Sequence, residues 1–254
     1  MTSSDYIAVF DSGVGGISVL QHLRKMLPNE NYIYFGDCAN APYGSRPTTQ
    51  VRELTLQAAD KLLKSYPVKA LVVACNTATA AAIGQLRAQY PDRIIIGIEP
   101  ALKLAADTFP GGRIGVMATQ VTLREEKFDA LMHRFDTGCT VTKIPAPGLV
   151  ELIENGQIDT PQAQALLRRL LSPYIGKLDA LVLGCTHYPF AADAIRGTLG
   201  EEVVLLDGGE GTARETRRRL EGAGLLNTQG PGSLLLTASG DSDHFLTVAK
   251  KLLK

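Results

Sequence analysis

The sequence predicts an α/β fold of two pseudosymmetric α/β domains with mostly parallel sheets and a functional site in the cleft between them. Three observations carry this. Short β-branched runs alternate along the 254 residues with stretches of helical period. The two halves of the chain resemble each other. Two matching turns, in ACNTATA (74–80) and GCTHYPF (184–190), place a cysteine before a small polar residue at positions 110 apart.

In order, YIAVF (6–10) is the first predicted strand, followed by NYIYF (31–35), VKALVVA (68–74) and RIIIG (93–97). RIGVMA (113–118), CTVTKI (139–144), LDALVLG (178–184), EVVLLD (202–207) and SLLLTASG (233–240) complete the set. Between strands, TTQVRELTLQAADKLLK (48–64) and TPQAQALLRRLLSPY (160–174) set apolar residues at i, i+3, i+4 and i+7, as half-buried helices do. Parallel neighbours need a crossover helix to join them, so this alternation points to parallel sheets.

IAVFDSGVGGISVL (7–20) and RIGVMATQVTLREE (113–126) are both strand, polar turn, helix. At nearly the same offset, ALVVACNTATAAA (70–82) answers to ALVLGCTHYPFAA (180–192). The expected domains are residues 1–97 with 208–254, and residues 98–207. The chain switches near Gly97 to Pro100 and returns around Asp207 to Gly211.

Lys+Arg and Asp+Glu both number 26, so a net charge of zero argues against a nucleic-acid or anionic-membrane surface and leaves a small neutral or zwitterionic ligand. No segment approaches 18 uninterrupted apolar residues, and the opening MTSSDYIAVFDSG lacks the basic and apolar regions of a signal peptide. A cytoplasmic location is expected. The four cysteines, Cys38, Cys75, Cys139 and Cys185, form no C-x-x-C pair and read as free thiols.

Ligands of open parallel sheets bind outside the carboxyl ends of the strands, where helix N-termini also point. Asp11-Ser12-Gly13, Asp37, Cys75-Asn76-Thr77 and Cys185-Thr186-His187 all fall there. DSGVGG lacks the ending of a P-loop, and Ser18 stands where G-x-G-x-x-G needs its last glycine, so it reads as a tight turn with backbone N–H groups free to accept a carboxylate. Asn76 or Thr77 would cap the alanine-rich helix, which puts Cys75 in the positive field of a helix N-terminus and favours its thiolate. His187 is the proton partner expected for Cys185, and no further group is seen to orient it. A single strand-end cysteine is more often an inert small residue, but two in matching half-repeats reverse that reading. Cys38 and Cys139 keep it, His22 and His133 read as helix residues facing solvent or packed, and His244 and Arg46 read as surface residues.

Two thiols facing one ligand suit two-base proton exchange. A thiolate removes a proton from carbon on one side while a thiol delivers one on the other, inverting the stereocentre. A metal held by Cys75, Cys185 and His187 is a weaker reading without short-range ligand pairing, and no metal or cofactor is expected.

The stretches FDSGVGG (10–16), FGDCANAPYG (35–44), VVACNTATA (72–80), GIEPA (97–101), PGLVELIENG (147–156), LGCTHYPF (183–190) and TASGDSDHF (237–245) together resemble the cofactor-independent aspartate/glutamate racemase family, glutamate racemases in particular. The resemblance implies that Cys75 and Cys185 are the catalytic thiols, acting on the D- and L-enantiomer respectively. It implies assisting roles for Asp11 and His187, acidic partners at Asp37 and Glu154 rather than Glu151, and substrate contacts from Asp11-Ser12, Tyr43-Gly44, Asn76-Thr77 and Thr186-His187. It further implies glutamate as substrate, D-glutamate supply to peptidoglycan, and a homodimer; activation by a peptidoglycan precursor is not expected. Cys38 and Asn40 depart from the pattern. An aspartate or other small-diacid racemase and a non-catalytic amino-acid-binding protein are the alternatives.

Overall fold

The computed structural model describes residues 1–98, 101–124 and 138–253. His133, Glu99-Pro100 of the switch, and Glu125-Glu126 of the repeat lie outside the described residues. Among the described residues there are nine strands, each within two residues of its predicted bounds. β1 (Tyr6–Asp11), β2 (Tyr32–Gly36), β3 (Val68–Val73), β4 (Ile94–Gly97) and β9 (Leu234–Ala238) form one parallel sheet in the order β4-β3-β1-β2-β9. β5 (Arg113–Ala118), β6 (Thr140–Pro145), β7 (Ala180–Leu183) and β8 (Val204–Asp207) form the other, β6-β5-β7-β8, also parallel.

Helices cover both faces of each sheet, which is why the strands are apolar almost continuously. In the first sheet Ile7, Val9, Tyr34, Val72 and Ile96 point to α1 (Ile17–Met26), α9 (Gly209–Gly222) and α10 (Ser242–Leu252). Their neighbours Ala8, Phe10, Phe35, Leu71 and Ile95 point to α2 (Thr48–Ser65) and α3 (Asn76–Gln89). In the second sheet Met117, Ile144, Leu181 and Leu183 pack on α6 (Leu149–Glu154), α7 (Pro161–Leu171) and α8 (Ala192–Leu199). Ile114, Val116 and Val182 pack on α4 (Leu102–Thr108) and α5 (Gln120–Arg124). Fully burying one such Leu, Ile or Phe side chain is worth about 1.5–3 kcal/mol, so four layers of them account for the fold. No described helix is long and apolar enough to cross a membrane.

At the amino end of β3, the sheet edge away from the cysteines, Lys69 and Glu30 form an ion pair with both side chains fully buried. Lys69 Nζ also donates to the carbonyls of Ser3 and Leu225, and Glu30 Oε1 accepts from Asn227 N at 2.9 Å. The pair thus gathers the amino-terminal segment, β3 and the α9–β9 connection. Removing one partner strands the other charge in the core. Urea unfolding of Lys69→Met should show a loss of about 3–5 kcal/mol, largely recovered in Lys69→Met/Glu30→Gln; a single-variant loss below about 1 kcal/mol would show that Glu30 is not stranded.

Candidate active site

Strand register brings the predicted residues to one level. Asp11 sits opposite Gly36, Asp37 N donates to Asp11 O at 2.9 Å, and Ala74 N donates to Phe10 O at 2.8 Å, which delivers Cys75 beside the β1 turn. In the second sheet Gly184 N donates to Met117 O at 2.7 Å and delivers Cys185 in the same way.

Each thiol begins a chain that ends in a carboxylate. Cys75 Sγ donates to Ser12 Oγ at 3.6 Å, and Ser12 Oγ lies 3.5 Å from Asp11 Oδ1. Cys185 Sγ lies 3.6 Å from His187 Nδ1, and His187 Nε2 lies 2.5 Å from Glu154 Oε1. Glu154, expected from the resemblance as an acidic partner, is therefore the orienting group for His187, a pairing the sequence did not reveal. It sits 33 residues away at the end of α6, where no local spacing links the two. The chains are also cross-braced: Asp11 Oδ2 accepts from Thr186 Oγ1 at 3.0 Å, and Glu154 Oε1 accepts from Val14 N at 2.9 Å.

The helix cap differs from expectation. Cys75 itself, not Asn76 or Thr77, is the N-cap of α3, its sulfur accepting from Ala78 N at 3.5 Å. The expected thiolate is reversed too: burial, aided by the Asp11 charge, pushes the Cys75 thiol up to about 12 against the opposing bonds from Ala78 N and Ser12. Burial likewise raises Asp11 to about 6, although the His187 charge and the bonds from Gly13 and Thr186 pull it down. For His187 burial favours the neutral ring, but the bonds to Cys185 and Glu154 outweigh it and hold the imidazole well above its usual value. Glu154 is half-buried, which raises it, yet its bond to His187 keeps it below the usual carboxylate range. The site thus holds a protonated thiol in one chain and, in the other, a sulfur beside an imidazolium.

The glycines of DSGVGG make this contact possible. A Cβ on Gly13 would lie 1.8 Å from Glu154 Oε1, and one on Gly15 would lie 2.4 Å from His187 Nδ1 and 2.6 Å from Thr186 Oγ1. Two of the turn's N–H groups are taken by carboxylates of the protein itself: Gly13 N donates to Asp11 Oδ1 at 3.0 Å and Val14 N to Glu154. Ser18 Oγ, at the position that spoiled the nucleotide motif, donates to Thr186 O at 2.8 Å and seats the CTH turn.

Asp37 is held differently. Its oxygens accept from Tyr43 Oη at 2.7 Å, Ser239 Oγ at 2.6 Å and both ways from Asn40 Nδ2 at 3.1 and 3.0 Å, so it fixes the Tyr43-Gly44 turn. Arg46, expected in solvent, is half-buried with Nε donating to Asn40 O at 2.6 Å. Asn76 Oδ1 is buried without a partner among the described residues, an acceptor available to a ligand. Thr77, Thr119 and Thr122 form a triangle of hydroxyls at 3.0–3.3 Å across the two sheets. Sequence reasoning missed Thr119 and Thr122; the signal was their place at the end of the fifth predicted strand. It also missed Ser18 and Ser239. Glu151 is exposed, His22 is half-buried near Asp207, and Cys139 donates to Phe109 O at 3.3 Å. Burial, then the charges of Glu154, Asp11 and Asp37, push the Cys38 thiol up to about 12.

Known proteins share this arrangement of chain. A glutamate racemase of Clostridium botulinum is 44% identical over 98% of this chain and 96% of its own. The crystal structure of glutamate racemase from Thermus thermophilus in complex with β-chloro-D-alanine superposes with a TM-score of 0.86 at 38% identity, covering 100% of this chain and 95% of that one. Glutamate racemase from Francisella tularensis in complex with D-glutamate gives 0.86 at 28% identity, covering 99% and 94%. The Asp/Glu/hydantoin racemase family model matches residues 15–216, from the glycine turn through both thiols into α9, and the chain belongs to that family.

Proposed function

We propose that this protein is a cofactor-independent glutamate racemase that interconverts L- and D-glutamate by proton transfer between Cys75 and Cys185. The observation that carries the reading is the pair of thiols at equivalent strand ends, each with its own chain to a carboxylate. The activity named for the Clostridium botulinum relative supports glutamate over other diacids.

In the L-to-D direction the Cys185 thiolate, formed beside the His187–Glu154 pair, takes the Cα proton. The Cα–H electron pair is left on the substrate as a carbanion, and Cys75 S–H delivers its proton to the opposite side. The site ends with Cys185 protonated and Cys75 as thiolate. The reverse reaction begins there, and Ser12 and Asp11 offer the path by which Cys75 regains a proton between L-to-D turnovers and loses one between D-to-L turnovers. Asn76, Thr77 and Thr186, with the Tyr43-Gly44 turn fixed by Asp37, supply polar groups for the substrate's ammonium and two carboxylates. Residues 1–97 with 208–254 and residues 98–207 are taken as the two domains, supported by their separate sheets. A cytoplasmic homodimer that supplies D-glutamate for peptidoglycan fits the family resemblance.

Incubation with L-glutamate in deuterated water should yield D-glutamate carrying deuterium at Cα. Cys75→Ala and Cys185→Ala should each lower that rate by about 10²–10⁴-fold or more, and racemisation surviving both changes excludes the mechanism.

Enantiomers have equal free energy, so kcat/KM must stay equal in the two directions and any asymmetry lies in kcat. His187→Asn is expected to lower kcat for L-to-D more than for D-to-L, by about tenfold or more in the affected direction. Equal slowing of both kcat values counts against the role given to His187.

Asp11 is ionised above about pH 6 and gains a proton as pH falls through that value, losing its power to accept from Thr186 and from the Ser12 path. The profile of log kcat/KM should therefore bend downward below about pH 6, and Asp11→Asn should remove that bend along with most of the activity. An acid limb unchanged in Asp11→Asn assigns the titration to another group.

A further inference from the structure

Ser239 to Asp241 join β9 to the first turn of α10, and the beginning of this join is pinned to the first sheet. Ser239 Oγ bonds Asp37 Oδ1 at 2.6 Å and accepts from Ala39 N at 3.0 Å. Asp241 Oδ1 caps α10, accepting from Asp243 N at 3.2 Å and His244 N at 3.0 Å. Phe245 is buried parallel to Tyr34, ring centroids 5.8 Å apart, and Tyr34 Oη donates to Gly13 O at 2.7 Å. From this base His244, itself exposed, places Nε2 3.1 Å from the main-chain oxygen of Glu154. A carbonyl only accepts, so Nε2 carries the proton.

That carbonyl is one of those left over at the carboxyl end of the six-residue α6. Glu154 is thus held at both ends by the first half of the molecule, its carboxylate by Val14 N at 2.9 Å and its carbonyl by His244. The contacts close into a ring, because Val14 follows Gly13, Gly13 takes the Tyr34 hydroxyl, and Tyr34 stacks on the residue after His244.

We propose that His244 is a positioning residue for the racemase reaction: it ties the end of α6 to α10 and so sets the Glu154 carboxylate on His187 when the site is closed. This rests on the reading of Glu154 and His187 as partners of Cys185. Cys75, Cys185 and His187 are only 5%, 8% and 2% exposed, so a diacid reaches them when the two halves part, and the His244 bond re-forms as they close. Losing a tie of that kind weakens closure, which saturating substrate restores. Its cost therefore falls on KM rather than on kcat.

The test uses the full chain, with glutamate as substrate in both directions. His244→Ala should raise KM about three- to tenfold in both directions, the range of one net hydrogen bond, with kcat within about twofold. It should also speed exchange of the backbone amides of Asn155 and Gly156 at the end of α6. His244→Gln keeps an N–H donor of similar reach and should restore both readouts. An alanine variant with unchanged KM and exchange, or a glutamine variant as impaired as alanine, overturns the proposal. Failure of the functional reading is seen separately, as absence of racemisation in the unsubstituted protein, and the exchange comparison does not depend on it.

Discussion

Each half of the molecule holds a carboxylate that accepts a hydrogen bond from the other half, and the site depends on this exchange. Asp11 takes the Thr186 hydroxyl, and Glu154 takes the Val14 amide. These are charge-assisted bonds in a setting nearly closed to water, where each is stronger than its surface equivalent and an unmade one is costly. Because the same carboxylates end the two thiol chains, the bonds that bring the halves together also set the proton inventory. Assembly and acid–base state are one property here.

The two chains are alike in outline and differ in how charge is placed along them. On the Cys75 side the intermediary is a hydroxyl, and burial is not offset by any cation in the chain, so the thiol keeps its proton and Asp11 is raised. On the Cys185 side the intermediary is an imidazole, which carries a positive charge that a depressed Glu154 neutralises. The two intermediaries come from different places in the fold, Ser12 from the turn after β1 and His187 from the turn after β7, and that difference breaks the likeness between the two chains.

The fold was legible because strands covered on both faces are apolar almost throughout, and Ile7-Ala8-Val9-Phe10 advertises β1 without any long-range information. The thiols were legible because a half-repeat makes a local motif count twice. What could not be read follows a common physical rule: it depends on groups far apart in sequence or on exclusion of water. Glu154 meets His187 and Ser239 meets Asp37 only through folding. The Cys75 thiol was expected to ionise because its helix N-terminus is visible in the sequence, whereas the desolvation that outweighs that field is a property of the packed whole. Arg46 was misread for the same reason, since its partner is a backbone carbonyl placed by the turn before it.

Gly13 gives this coupling a consequence for descent. The space its missing side chain leaves is filled by an oxygen of Glu154, so the first half serves as a mould for the second, fitted to less than the size of a methyl group. Separate halves of a chain ordinarily change independently of one another in sequence. These cannot: a change in the turn alters what the distant carboxylate can reach, and a shorter or longer acid at 154 alters what the turn must be. Recombining this half with that of a relative therefore transmits function only as a matched pair, and the true unit of inheritance is the contact rather than either domain.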